Sequence, residues 1–281
     1  MIWALLAIGA AFLWATGNLI SKYTLFKINK QTTMIGMLIS SIITVAIIYP
    51  IFPVSFSAIA LISGIFWYGA YYAYFSGLSE SEVSKTSALL LTNPIFTAIV
   101  SAIMLGEILT TVQYFGILVS VLGAILLSFQ GSVFRKEAVI VLASSILFAF
   151  SDVGAKMALS EADSITVLFW VRMAAIPILI VLFFIWRKKI DFISKKLTTF
   201  AIGTGLLSDV ASYLYIVACS IAFVSLVTAF TTTQALFVFL GATLITKLNP
   251  KLLKEEIDRK SLVLKISALF LLILGVVLVA I

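Results

Sequence analysis

Ten runs of uncharged or nearly uncharged residues make up this chain, at about 2–26, 32–52, 57–78, 85–105, 111–130, 138–160, 164–186, 198–220, 223–246 and 262–281. Each is close to the ~20 residues a tilted helix needs to cross the hydrocarbon core of a bilayer. A backbone in hydrocarbon must satisfy its own hydrogen bonds, which at this run length means a helix. The spacing predicts an all-α polytopic membrane protein with ten transmembrane helices. Composition agrees: 62% of the 281 residues are apolar and 11% charged, against about 25% charged in a soluble domain. Ten spans and short connections use the whole length and leave no room for a soluble domain. The first run has no basic segment ahead of it and no clear cleavage site, so it reads as a retained span rather than a signal peptide.

Within these runs a polar pattern recurs. Asn18-Leu-Ile-Ser-Lys22 returns 134 positions later as Asp152-Val-Gly-Ala-Lys156. Each copy sets a polar or acidic residue one helical turn before a lysine. Gly64, Tyr72, Tyr74 and Ser84 likewise match Gly205, Tyr213, Tyr215 and Ser225 at an offset of 141, and Gly123 matches Gly275 at 152. The offset grows inside the basic connections 187–197 and 247–261, where extra length is tolerated. No charge interrupts Val210 to Thr246, and the 141 register places the missing turn at 221–226. Five spans per copy is an odd number, so the second copy enters the membrane from the opposite face. The expected organisation is two inverted five-helix repeats, 1–134 and 135–281.

Sixteen of the 19 basic residues fall in the odd-numbered connections; the other three, Lys22, Lys156 and Arg172, lie inside or at the ends of spans. Positive charge marks the cytoplasmic side. The expectation is a multi-pass protein of the plasma or inner membrane, with odd loops cytoplasmic and both termini external. Placement in those loops also accounts for the net charge of +7 without a nucleic-acid partner. One cysteine, Cys219, excludes an internal disulfide, and the absence of histidine removes the commonest metal ligand and general base. No metal site or cofactor is expected.

From Tyr74 to Leu127 the chain reads Tyr-Phe-Ser-Gly-Leu-Ser, then Ser84-Lys-Thr-Ser-Ala-Leu-Leu-Leu-Thr-Asn93-Pro94-Ile-Phe96, then Leu105-Gly106-Glu107, Gly116 and Leu122-Gly123. This resembles the EamA-type proteins of the drug/metabolite transporter superfamily, ten-helix carriers with two inverted halves, many of them exporters of amino acids and other metabolites. The resemblance implies a central cavity surrounded by spans one, three, four, six, eight and nine. The second half departs from the pattern, with Gln234-Ala235 for Asn93-Pro94 and Lys247-Leu248 for Gly106-Glu107. The charge-derived orientation is also opposite to that of many relatives.

Counting ~1.5 Å per helical residue puts Tyr68, Asn93, Asp209 and Gln234 about ten residues from a membrane face, as a belt near the midplane. Polar groups at that depth either meet substrate or bond neighbouring helices. Asp209 reads as a proton-coupling carboxylate, as the partner of a substrate ammonium, or as half of a buried ion pair with Arg172, Lys156 or Lys22. Tyr72, Tyr213 and Trp14 are the other candidate wall residues. Asn18, Lys22, Asp152, Lys156, Arg172 and Pro94 are candidates for a gate or polar network. Within it, Asp152 neutralises Lys156, pairs with Arg172 or contacts substrate, Asn18 bonds Lys22, the lysines snorkel to the headgroups or contact substrate, and Arg172 alternatively receives an anionic substrate group. Pro94 frees a carbonyl near Leu90. Glu107 is read as structural and facing the interface, and Cys219 as a small apolar residue.

The expected activity is secondary transport of small organic metabolites, amino acids or amphipathic compounds, by alternating access. Export is the expected direction, and proton coupling and facilitated exchange both stay open. A lipid-linked, nucleotide-sugar or phosphorylated-metabolite carrier is the alternative, and a membrane-embedded enzyme a more distant one. The expected partners are the solute and the bilayer, with the protein a monomer or homodimer.

Overall fold

The computed structural model describes residues 2–27, 29–80, 83–128, 136–189, 195–249 and 259–281, and all regular structure among them is helical. The basic positions 135, 251 and 254 lie outside these residues. Thirteen α-helices follow the expected runs: α1 Ile2–Lys27, α2 Lys30–Ile48, α3 Ala58–Glu80, α4 Val83–Leu90, α5 Asn93–Leu105, α6 Thr111–Ser128, α7 Lys136–Ala158, α8 Ser164–Met173, α9 Ala175–Trp186, α10 Lys195–Ile221, α11 Val224–Phe230, α12 Gln234–Leu248 and α13 Arg259–Ala280. Seven stretches are long and apolar enough to cross a membrane, and Asn93–Leu105, Thr111–Gly123 and Ile266–Ala280 are shorter apolar helices. The described residues are those of an all-helical, polytopic membrane protein. α10 ends at Ile221 and α11 begins at Val224, so the chain turns where the 141-residue register put it.

Three runs expected as single helices are broken. The run at 85–105 splits into α4 and α5 at Leu91–Thr92, because Pro94 brings no N–H and its ring crowds the Leu90 carbonyl. Pro177 does the same to the Met173 carbonyl and separates α8 from α9. The third break has no proline. Between α11 and α12 the chain tightens into a 3-10 turn at Thr231–Thr233, where each threonine hydroxyl donates to the carbonyl three residues back, at 2.7–2.9 Å.

Helix ends are set by familiar chemistry. Asn29 caps α2 by accepting from Thr32 N at 2.8 Å, and Asp163 caps α8 by accepting from Ile165 N and Thr166 N. Partial burial pushes the Asp163 carboxyl up, but the hydrogen bonds from Thr166 and Ile165 outweigh it and hold the group below the usual carboxylate range. Gly106, at φ +67°, ends α5 in the left-handed conformation that a side chain resists.

Packing pairs α1 with α10, α3 with α7 and α6 with α13; α2 lies on α10 and α8, and α12 lies on α1 and α4. Hydrocarbon gives apolar helices no solvent reason to associate, so close backbone approach through small residues carries much of the contact. Gly116 and Gly123 of α6 meet the main chain of α13 near Gly275 and Ala268. Gly64 of α3 faces α8, where an added Cβ would collide with the Val171 carbonyl and lie 2.7 Å from Ala174 Cβ. At Gly203 an added Cβ has nothing within 4 Å. Gly64→Ala is therefore expected to destabilise by about 1–3 kcal/mol, and Gly203→Ala to be neutral or to stabilise by up to ~1 kcal/mol. Thermal melts in one detergent check the pair, and equal shifts would contradict the packing argument.

Candidate functional site

The centre of the bundle holds a cavity with about 550 Å³ of atom-free space, counting space open to solvent. Its wall comes from Trp14 and Asn18 of α1, Trp67, Tyr71 and Tyr74 of α3, Asn93 and Pro94 at the start of α5, Phe148 and Asp152 of α7, Tyr215 of α10 and Gln234 of α12. Two of the three helix breaks border it, at Leu90–Leu91 and at Thr231. An interrupted helix leaves backbone groups to be satisfied, which membrane proteins tolerate only inside protein or beside water. Here Ser145 of α7 donates to the Leu90 carbonyl that Pro94 releases, at 3.2 Å.

The amide of Asn93 is fixed at both ends. Its oxygen accepts from the Thr97 hydroxyl at 3.0 Å, and its Nδ2 donates to Asp152 Oδ2 at 2.9 Å. Asn18 Nδ2 points toward Ser87 Oγ at 3.5 Å, and Ser87 shares a 3.0 Å bond with the Tyr74 hydroxyl. Tyr215 and Thr228 share an equivalent bond of 2.7 Å. Aromatic rings close the remaining wall. Trp67 lies 5.1 Å from both Tyr71 and Phe148, and Trp14 lies 5.6 Å from Tyr215, measured between ring centroids. The indole N–H groups of Trp14 and Trp67 are buried without a hydrogen-bond partner.

A second polar cluster sits behind Trp67. Arg172 is fully buried; its Nε lies 2.7 Å from Asp209 Oδ1, Nη2 donates to Ser212 Oγ at 2.5 Å, and its guanidinium stands 4.8 Å from the Trp67 ring centre. Asp209 Oδ2 accepts from the Thr44 hydroxyl at 2.6 Å. The Tyr71 hydroxyl and Ser208 Oγ are 2.9 Å apart, joining the cluster to the cavity wall. A buried ion pair is steadied when its remaining valences are met; Thr44 of α2 and Ser212 of α10 meet one on each partner, while Arg172 Nη1 has no hydrogen-bond partner among the described residues.

The candidate residues thus separate. Trp14, Asn18, Asn93, Pro94, Asp152 and Gln234 line the cavity, whereas Asp209, Arg172 and the fully buried Tyr68 belong to the second cluster. Tyr72 is 38% exposed, stacks on Trp186 and has Lys30 5.9 Å from its ring, and Tyr213 is half-buried against the apolar core. Both tyrosines sit off the cavity because two residues turn a helix by about 200°, away from the side that Tyr74 and Tyr215 present. Spacing of four and three (Trp67, Tyr71, Tyr74) was the signal for the lining face of α3.

The lysines do not snorkel. Lys22 Nζ donates to the Leu78 carbonyl at 2.7 Å, and Lys156 Nζ to the carbonyls of Cys219 and Ala222. Each ammonium caps the end of a neighbouring helix, where unsatisfied carbonyls and the helix dipole favour a cation. Glu107 faces no interface either. It is 4% exposed and accepts from Val224 N at 2.9 Å, Ser225 N at 3.2 Å and the Ser225 hydroxyl at 2.6 Å, beside a 2.6 Å bond between Ser101 and Ser225. Among the described residues no group of three histidine, cysteine or acidic side chains is placed to hold a metal ion.

Residues 1–129 match the model of the EamA-like transporter family. No curated protein matches the chain. A solved structure described as "Crystal structure of protein" superposes with a TM-score of 0.69 over 98% of this chain and 95% of its own, at 15% identity, a likeness of fold alone.

Proposed function

From the match of residues 1–129 to the EamA-like transporter family model, we propose that the chain is a secondary carrier of small organic solutes, built as two inverted five-span halves, 1–134 and 135–281. The two halves rock about the central cavity to give alternating access. The observation that carries this reading is the cavity itself, walled by polar and aromatic groups from six spans where a membrane protein otherwise packs apolar side chains.

Equivalent contacts on opposite sides of the bundle support the inverted repeat. Tyr74 to Ser87 and Tyr215 to Thr228 are the same bond 141 residues apart, and Lys22 to Leu78 returns as Lys156 to Cys219. α1 on α10 mirrors α7 on α3, and the two helix breaks fall at Asn93 and Gln234, which the repeat aligns. Substrate contact falls to Asn93, Asp152, Gln234, Asn18 and Trp14. Arg172 with Asp209 positions the wall through Trp67 and Tyr71, and Pro94 sets the break. The basic odd-numbered connections favour a cell-membrane protein with those loops inside, and export is the direction assigned.

The test is counterflow in proteoliposomes across amino acids, amines, nucleotide sugars and sugar phosphates. Saturable uptake of one class, reduced at least tenfold in kcat/KM by Asn93→Ala, is the expected result. Leak rates equal to protein-free vesicles for every class would end the carrier reading. A phosphorylated solute is disfavoured by the cavity wall, which contains no lysine or arginine among the described residues.

A further inference from the structure

If the central cavity is the solute site, its wall says more about the solute than that it is small. We propose that the cavity selects an organic monocation, an amine with a flat apolar or aromatic body and no carboxylate, with Asp152 as its counter-ion. The wall holds one ionisable acid, Asp152, and no basic side chain among the described residues. The positive groups beside the wall are already committed, Lys22 among them through the Leu78 carbonyl. Lys156, one turn beyond Asp152, is held by the carbonyls at the end of α10, and Arg172 lies behind Trp67 in its pair with Asp209.

Charge balance then separates the candidate solutes. A carboxylate or phosphate entering this space loses hydration without gaining a counter-charge, which a buried anion requires. The neutral donors present, the Trp14 and Trp67 indole N–H groups and the amides of Asn18 and Gln234, suit a hydroxyl oxygen or a water molecule. They do not neutralise an anion. An ammonium meets the opposite conditions: a carboxylate steadied by Asn93 at 2.9 Å, and a wall of Trp14, Trp67, Tyr71, Phe148 and Tyr215 whose ring faces attract cations. The same rings supply the apolar surface for the rest of the molecule.

A matched series tests this without any variant. Purified protein in lipid nanodiscs is titrated by calorimetry with 2-phenylethylamine, phenylalanine, 3-phenylpropionate and 2-phenylethanol at pH 7. The expected result is amine binding at least tenfold tighter than any of the other three. Equal or tighter binding of phenylalanine or phenylpropionate overturns the proposal, and so does binding of none. Asp152→Asn should bring the amine down to the level of the alcohol, and Gln234→Glu, which adds a second carboxylate to the wall, should tighten the amine alone. Retention of the preference in Asp152→Asn overturns the counter-ion assignment. Failure of the carrier reading is distinguishable: an amine that binds but never crosses proteoliposomes removes transport and leaves the cation site. A zwitterion that is carried while the amine is ignored removes the cation site and leaves transport.

Discussion

Asp209→Ala should cost about 3–5 kcal/mol of folding free energy, the scale for stripping one partner from a buried ion pair. The reason is the side chain left behind. Arg172 is fully buried, and without Asp209 its guanidinium keeps a hydroxyl, Ser212, and the Trp67 ring but has no counter-charge. Replacing both members by apolar groups of similar volume, Arg172→Met with Asp209→Leu, should restore most of the stability, because no charge then remains to be solvated. Melting curves in detergent read the difference, with the single variant lower by on the order of ten degrees. The pair also separates two roles for Asp209. If the double variant melts near the wild type and still carries solute, the carboxylate acts on the wall through its neighbours and never touches the solute. A double variant that is stable but inert would return Asp209 to direct contact.

Glu107→Ala is expected to have the second large effect, on conformation as well as stability. The carboxylate closes the end of the bundle between α5 and α11 by accepting three hydrogen bonds from Val224 and Ser225. Removing it leaves two buried backbone N–H groups without an acceptor, at about 1–3 kcal/mol for a buried unsatisfied donor. In the proposed alternating-access cycle these bonds hold only when this end is shut, so their loss is expected to raise the open population about tenfold for each 1.4 kcal/mol. A reporter, Thr231→Cys in a Cys219→Ser background, should then react with an impermeant maleimide at least tenfold faster from that side. An unchanged labelling rate would mean that the contact is a cap and not a closure. The positions that the 141-residue register aligns with Ser101 and Glu107 are Ala242 and Leu248, which have no side-chain hydrogen bond to offer.

Position along the helices was more legible in the sequence than rotation about the helix axis. Residue counting placed Asn93 and Gln234 at the level of the cavity, and they line it. The same count gave Asp209 the same depth, yet that carboxylate turns to Thr44 and Arg172. The missing information is azimuthal. In a soluble helix the polar face marks the outside, but here the lipid face is as apolar as the packed face, so periodicity hardly distinguishes them. Tyr72 and Tyr213 were misplaced for this reason, while Tyr74 and Tyr215, two residues on, point inward. The lysines illustrate a second limit. Nothing near Lys22 or Lys156 in the sequence shows that the end of a distant helix stands within reach of the ammonium. Pro94 was readable because its effect is local: the released carbonyl and the break follow from the residue alone.

The interruptions at Leu91–Thr92 and Thr231–Thr233 give the bundle an uneven mechanical compliance. Bending a continuous helix tears rungs from its hydrogen-bond ladder, whereas at these two joints side chains already share the carbonyls, Ser145 in one case and the threonine hydroxyls in the other. The interlocked glycines of α6 and α13 resist any such flexing. In the proposed carrier, flexing is therefore expected at the two joints bordering the central chamber, with the α6–α13 pair as the stiffer element at its flank.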